Sequence, residues 1–224
     1  MSRLVLLLVE GPTEERFVKD VLATHFEPMG LYFQPTVVET KVVKDGQNFK
    51  GGVSKFTKIE RDLRLLIRSR GDALVTTLFD YYGLPSDTPG MATRDRFSDP
   101  FKRVEHVEQE IWNQFGKADQ FRPFLTLHEF EALLFSCPNT LPEVLVDKKR
   151  TPQFAAICQS VVSPEHINER PESAPSVRIK DLYPSYQKTL HGPTTAKRIG
   201  LDLIRSKCHH FNAWIEELEQ FARS

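Results

Sequence analysis

Cysteine is scarce in this chain. Cys137, Cys158 and Cys208 are the three among 224 residues, odd in number, widely spaced and without a CxxC pair. That argues against a disulfide framework or a structural zinc site and for a reducing compartment. Net charge is missing as well, with 30 basic side chains against 30 acidic ones. No long-range field therefore draws the whole molecule to nucleic acid, and any such contact needs a local patch. No apolar run is long enough to span a bilayer. The N-terminal run stops at Glu10 with no small-residue cleavage pattern after it, so no signal peptide is expected. Internal repeats and low-complexity tracts are lacking too. A soluble, cytoplasmic protein is expected, built as one large domain or one domain with an appendage.

What the sequence has is apolar material in short, well-punctuated runs. Hydrophobic residues make up 40% of the chain and include sixteen Phe. Leu4 to Val9 is six consecutive apolar residues, the pattern of a strand buried on both faces of a parallel sheet. It ends at Glu10. Gly11 and Pro12 turn the chain, Thr13 is the expected cap, and Phe17, Val18, Val21, Leu22 and Phe26 recur at helical spacing. Glu14 and Glu15 fall in the first turn, where the helix dipole favours acids. Leu31–Phe33 and Thr36–Val38 predict a second strand, with Pro35 marking a bulge or an edge. Lys41 to Gly52, with Lys44 and Lys50, predicts a basic loop. Phe56 to Ile67 follows with helical periodicity, then Ala73–Phe79 as a buried strand ending in Asp80. Alternation of this kind is the signature of a doubly wound parallel sheet. After a loop and a helix over Phe101–Phe115, Phe124–Leu127 predicts another core strand, leading into His128, Glu129 and Glu131. Residues 138 to 193 carry eight prolines, and two helices are expected to close the chain, one starting after Pro193 and one holding Phe211 to Phe221.

Three strands thus end in acids: Glu10, Asp80 and Glu129. Carboxylates converging with few His and no nearby Cys suit Mg2+ or Mn2+, which clamp phosphate oxygens and activate water. The plainer alternative makes the same acids helix caps and surface pairs. Residues 177 to 210 hold Arg178, Lys180, Lys188, Lys197, Arg198, Arg205 and Lys207 against Asp181 and Asp202, with Tyr183 and Tyr186 between them. This is either a phosphate-backbone patch or a solvated helical face. His191 to Thr195 leads into a predicted helix start whose free amides suit an anion. Cys208-His209-His210 has no second ligand cluster and reads as a helix start with a buried Cys.

The stretch Leu-Val-Glu10-Gly11-Pro-Thr13-Glu14 after a buried strand resembles the first motif of Toprim domains, in the form found in nucleases of the OLD (overcoming lysogenisation defect) type. Asp80 matches the first acid of the Toprim Asp-x-Asp motif, while Tyr82 stands where the second aspartate belongs. Over nearly its full length the chain resembles a bacterial Toprim-like family catalogued as a domain of unknown function. Asp80-Tyr-Tyr-Gly-Leu-Pro85, His128-Glu-Phe-Glu131-Ala-Leu-Leu-Phe135, Pro164-Glu-His-Ile-Asn168, Ala174-Pro-Ser176 and Cys208-His-His-Phe-Asn212-Ala-Trp214 carry that likeness.

The resemblance implies four parallel strands flanked by helices and Mg2+- or Mn2+-dependent phosphodiester chemistry, with Glu10 as metal ligand or acid/base and Asp80 as ligand. It also suggests an ATPase partner and a place in phage defence. The sequence reading is therefore an α/β Toprim-like (Rossmann-like) domain over 1–137 with a helical C-terminal extension over 138–224. The expected activity is that of a metal-dependent nuclease or phosphodiesterase. Glu10 and Asp80 are expected to be catalytic, with Glu10, Glu14, Asp80 and Glu129 or Glu131 around the metal. Arg178, Lys180, Lys188, Lys197 and Arg198 are expected to hold DNA or RNA. Because Tyr82 replaces an aspartate, the alternative is a catalytically degenerate module that partners an ATPase; hydrolysis of a small phosphorylated molecule is a third reading.

Overall fold

Five strands, all paired in parallel, make the sheet in the computed structural model, which describes residues 2–38, 55–168 and 171–224. The basic loop expected over Lys41 to Gly52 lies outside the described residues. Strands β1 (Arg3–Val9), β2 (Leu31–Val37) and β3 (Leu74–Asp80) have seven residues each, whereas β4 (Phe121–Arg122) and β5 (Leu125–Thr126) have two. Their order is β2-β1-β3-β4, with β5 pairing the end of β3. Pro35 lies on the edge strand, in unbroken register with Leu7. An edge tolerates its missing N–H, so no bulge is needed.

The strand expected over residues 124–127 is present but shortened to Leu125–Thr126, and the separate two-residue β4 precedes it across Pro123. Pro123 has no N–H to give a ladder, and the side chain of Thr77 takes over at the break. Its hydroxyl accepts from the Phe124 amide (2.8 Å) and donates to the Phe124 carbonyl (2.7 Å).

Alternation along the strands builds two apolar layers. Val5, Leu7, Val9, Leu74 and Leu78 face one core, while Leu6, Leu8, Val75 and Phe79 face the other. Helix α1 (Pro12–Phe17) runs through a π-helical turn at Val18–Leu22 into α2 (Ala23–Phe26), over the first core. Helices α3 (Phe56–Ser69) and α4 (Pro100–Gln114) cover the second. Gly11, not Thr13, is the residue before α1, and Thr13 is buried within its first turn. The C-terminal region consists of α5 (Thr140–Val144), α6 (Thr151–Gln159), α7 (Pro175–Leu182), α8 (Lys188–Ile199), α9 (Leu201–Lys207) and α10 (His209–Arg223). Its apolar residues, Ile204, Phe211 and Ile215 among them, join the core that β1 and α1 line. No described helix is long and apolar enough to cross a membrane.

The helix expected to begin after Pro193 begins five residues earlier, at Lys188, and carries Pro193 inside it. An internal proline costs the hydrogen bond to the carbonyl four residues back. Here that carbonyl belongs to Thr189, and Arg16 Nη1 donates to it at 3.4 Å. The amides around His191 to Thr195 are therefore inside a helix and do not form an anion-binding terminus.

Candidate functional site

The chain leaves β1 to build β2 on one side and returns to build β3 on the other. Connections that part in this way open a crevice at the carboxyl ends of the two strands, the place where open α/β sheets bind ligands. Glu10 follows β1 there and Asp80 ends β3, with Val9 in register beside Leu78. The Asp80 amide donates to Glu10 Oε2 at 3.2 Å. Asp80 itself is fixed by donors: the Thr126 hydroxyl (2.9 Å) and the Phe130 amide (2.7 Å) both reach Oδ1, which leaves Oδ2 toward the crevice. Thr126 is supplied by the short β5, so the broken strand serves to orient this acid.

Two further acids close the group. Glu14 comes from the first turn of α1 and is 4% exposed. Glu131 comes from the 3₁₀ turn Phe130–Ser136 and is wholly buried. Into their midst reaches Lys188, the first residue of α8. Its Nζ lies 3.1 Å from Asp80 Oδ2, 3.3 Å from Glu131 Oε2 and 3.8 Å from Glu14 Oε1. The Tyr186 hydroxyl donates to the other Glu131 oxygen at 3.4 Å.

One ammonium does not balance these acids. Burial, then the charge of Asp80, raises Glu10 to about 7 and Glu14 to about 8 despite Lys188. Burial likewise lifts Glu131 to about 7. Burial works against the charge on Lys188, but Asp80, Glu131, Glu14 and Glu10 outweigh it and hold the ammonium well above its ordinary range. The cluster is short of positive charge at neutral pH.

A hard divalent cation suits that shortfall chemically. Every donor is a carboxylate oxygen, the ligand type Mg2+ and Mn2+ take, and buried Glu131 Oε2 has the Lys188 ammonium at 3.3 Å as its partner, with no well-aligned hydrogen bond. As the side chains stand, no three acidic, His or Cys groups among the described residues are spaced to hold an ion. The point on which Asp80, Glu131 and Glu14 close is taken by the Lys188 nitrogen.

Glycine shapes the rim. A Cβ on Gly83 would lie 3.0 and 3.1 Å from the two Glu10 carboxylate oxygens, closer than carbon and oxygen pack without one of them moving. Tyr82, next to it, is turned outward and 43% exposed. It stacks on the His128 ring with centroids 4.9 Å apart and planes 17° from parallel. Its amide donates to the His128 carbonyl at 3.3 Å. His128 is itself buried in a left-handed conformation (φ 73°), and burial lowers its pKa to about 4, so the ring is neutral.

The other residues singled out from sequence lie apart from this group. Glu129 accepts from the Ser176 amide (2.9 Å) and hydroxyl (3.1 Å), at the start of α7. That is the work of a helix cap. Arg178 Nε donates to the Ser173 carbonyl at 2.9 Å, and Lys180, Lys197 and Arg198 are exposed. Tyr183 and Tyr186, expected among the cations of a surface patch, are buried. Lys188, grouped by sequence with that patch, faces the acids. Its position, 108 residues from Asp80 in the chain, leaves no spacing signal. Gly83 did have one, as the small residue three places after a strand-end acid. Cys208 is buried before α10 as expected, and the Glu165 carboxylate accepts from the His210 and Phe211 amides at 3.0 and 2.9 Å.

Three solved structures of the C-terminal region of the Xanthomonas campestris pv. campestris OLD protein are similar at low levels. The one phased with iodine is 18% identical with a TM-score of 0.40, covering 98% of each chain. The one phased with platinum is 17% identical with a TM-score of 0.41, covering 100% of this chain and 98% of that one. No curated protein matches the chain. A family described as a domain of unknown function, DUF4276, matches residues 9–219, a span that takes in every acid of the cluster and Lys188. The chain belongs to that family.

Proposed function

We propose that the chain is a Mg2+- or Mn2+-dependent phosphodiester hydrolase of Toprim type. One observation carries the reading: four carboxylates from separate segments gather with one ammonium at the topological switch of the sheet, and three of them have pKa values of about 7 to 8. Crowding of this kind destabilises a scaffold, and it is concentrated at sites that hold a cation and move protons. Asp80, Glu14 and Glu131 are the residues to hold the ion, with Glu10 beside them. When bound, the ion would polarise a phosphoryl oxygen and neutralise charge developing on it.

The chain's own groups supply the remainder. Glu10, at about 7, is poised to accept a proton from an attacking water or return one to a leaving oxygen near neutral pH. Lys188 stays charged and is 37% exposed, so it can turn from the acids to a phosphate oxygen. The Thr126 hydroxyl and Phe130 amide keep Asp80 from rotating, so its Oδ2 is presented without reorganisation. Nucleic acid is the proposed substrate class, with the exposed Lys197 and Arg198 near the far end of α8 as contacts to its backbone, about 14 Å from Lys188 at helical rise.

The test is Mn2+-dependent cleavage of single-stranded and duplex oligonucleotides by the wild type, Asp80→Asn and Glu10→Gln. Cleavage that falls at least 100-fold in both variants supports the reading. An absence of cleavage together with an absence of Mn2+ binding by calorimetry overturns it.

The second reading, a degenerate module that partners an ATPase, draws on the Lys188 ammonium, which lies among the carboxylates where a metal would be held. On that reading Lys188→Met is destabilising at pH 8 and confers no activity.

A further inference from the structure

Tyr82 occupies the place where the resembled motif has its second aspartate, and its surroundings do not look like those of a residue left over. It sits between Asp80 and Gly83, and Gly83 lies against the Glu10 carboxylate. Tyr82 therefore belongs to the turn that borders the acid cluster. One of its faces is covered by the His128 ring in a nearly parallel stack. His128 holds that position through a left-handed backbone, a conformation that is costly for a non-glycine residue. Burial keeps it neutral, so the stack is not a cation–π contact. Tyr82 is still 43% exposed, and its contact with the Tyr81 ring is tilted, with centroids 5.7 Å apart and planes at 43°, so the supported ring is open to solvent.

A cation lies close to this surface. The Arg94 guanidinium lies 5.5 Å over the neighbouring Tyr81 ring, which is in turn in contact with the Tyr82 ring. An exposed aromatic ring with a guanidinium close by is the combination with which proteins hold an unpaired base and its phosphate.

We infer that Tyr82, backed by His128, is a stacking ledge for a nucleobase beside the phosphodiester to be cut, with Arg94 close by for the adjoining phosphate. The inference rests on the phosphodiesterase reading for what is cut, and it narrows the substrate to a nucleotide whose base is out of a duplex. A base stacked in a helix has both faces covered and cannot use the ledge.

The ledge is tested by binding, independently of cleavage. Fluorescein-labelled octathymidylate and an abasic octamer of the same charge are titrated in Ca2+ and in EDTA, and binding is read by anisotropy. For the wild type, octathymidylate is expected to bind tighter than the abasic strand. Tyr82→Leu is expected to remove that preference, a loss of roughly 5- to 150-fold, the worth of one base–aromatic stack. Its abasic affinity and salt slope should stay as in the wild type. Tyr82→Phe should bind within about threefold of the wild type, since a stack needs the ring and not the hydroxyl. An unchanged melting temperature in both variants excludes loss of folding as the cause. Competition by thymidine monophosphate at equal base concentration assigns the ledge to a free nucleotide, and competition only by the oligomer assigns it to a strand. Either result supports a base site. Equal affinity of the wild type for both octamers, or octathymidylate binding that is unaffected in Tyr82→Leu, overturns the ledge and leaves the hydrolase reading intact. A Tyr82-dependent preference in a protein with neither Mn2+-dependent cleavage nor Mn2+ binding overturns the hydrolase reading and leaves the ledge.

Discussion

Replacing Glu131 by Gln should make the metal-free protein more stable at pH 8, although it removes one side of a buried ion pair. The reasoning is a proton balance. In the unfolded chain this carboxyl titrates at 4.5, in the fold at about 7. Below pH 4.5 it is protonated in both states and costs nothing. Between 4.5 and 7 the unfolded chain ionises first and the folded state is increasingly penalised; above 7 the penalty is constant. The gap of 2.5 between those two values corresponds to about 3 kcal/mol at roughly 1.4 kcal/mol per pH unit.

Gln is nearly isosteric, keeps an acceptor for the Tyr186 hydroxyl and carries no charge to bury. It brings an amide N–H2 that faces the Lys188 ammonium, and this offsets part of the gain. A net stabilisation of about 1–3 kcal/mol at pH 8 is expected, or roughly 2–12 °C in melting temperature for a chain of this size. The difference should vanish at pH 4. Thermal unfolding of wild type and Glu131→Gln in EDTA from pH 4 to 9 reads it directly. In Mn2+ the gap should narrow, because an ion at 100 times its Kd adds about 2.7 kcal/mol to a protein that binds it, and the variant binds it worse. If Glu131→Gln loses stability at pH 8 in EDTA, the carboxylate is part of the scaffold and the argument from crowded acids fails.

Gly83→Ala should fold with little loss, since its backbone is not in the left-handed region. Its Cβ, 3.0 Å from the Glu10 carboxylate, should displace that group and lower Mn2+-dependent cleavage by tenfold or more, measured against an unchanged melting temperature. Glu129→Gln should behave in the opposite way. Weakening the cap on α7 should cost about 1 kcal/mol of stability, seen in urea unfolding, with Mn2+ affinity by calorimetry unchanged. Reversing Lys197 and Arg198 to Glu should weaken oligonucleotide binding and flatten its dependence on log salt by up to about two phosphate contacts. Because both residues are exposed, the far-ultraviolet dichroism should stay as it is.

Parallel strands buried on both faces announce themselves as apolar runs, and so β1 and β3 were legible in the sequence with the acids that end them. Strand-end acids in strand–helix alternation must fall on one edge of a parallel sheet, which is why Glu10 and Asp80 meet. Where the chain departs from such regularity the sequence misleads. Pro193 reads as a helix start because the carbonyl it strands is rescued by Arg16, a partner 173 residues away that leaves no local mark. Phe124–Leu127 reads correctly as a strand but too long, because at Phe124 the Thr77 hydroxyl of another strand takes the place of the ladder. Glu129 and Glu131 are two residues apart and indistinguishable by composition. The strand-to-3₁₀ transition between them sends one to α7 and the other to the acids. Lys188 was visible as a cation, but its neighbours are fixed by the packing of α8 on α1, which no spacing encodes.

The ammonium among the acids also sets an order of events during synthesis. Glu10, Glu14, Asp80 and Glu131 have all left the ribosome before Lys188 is added, and the Lys188–Asp80 contact closes a separation of 108 residues. Until α8 docks, the acid edge of the nascent sheet has no lysine to compensate it, so the apolar layers of β1 and β3 must assemble against electrostatic repulsion. Contacts this distant in sequence form late and slow folding. The acidic crevice is therefore completed at the end of folding, and a nick between residues 131 and 188 would separate the charge from the cluster it balances.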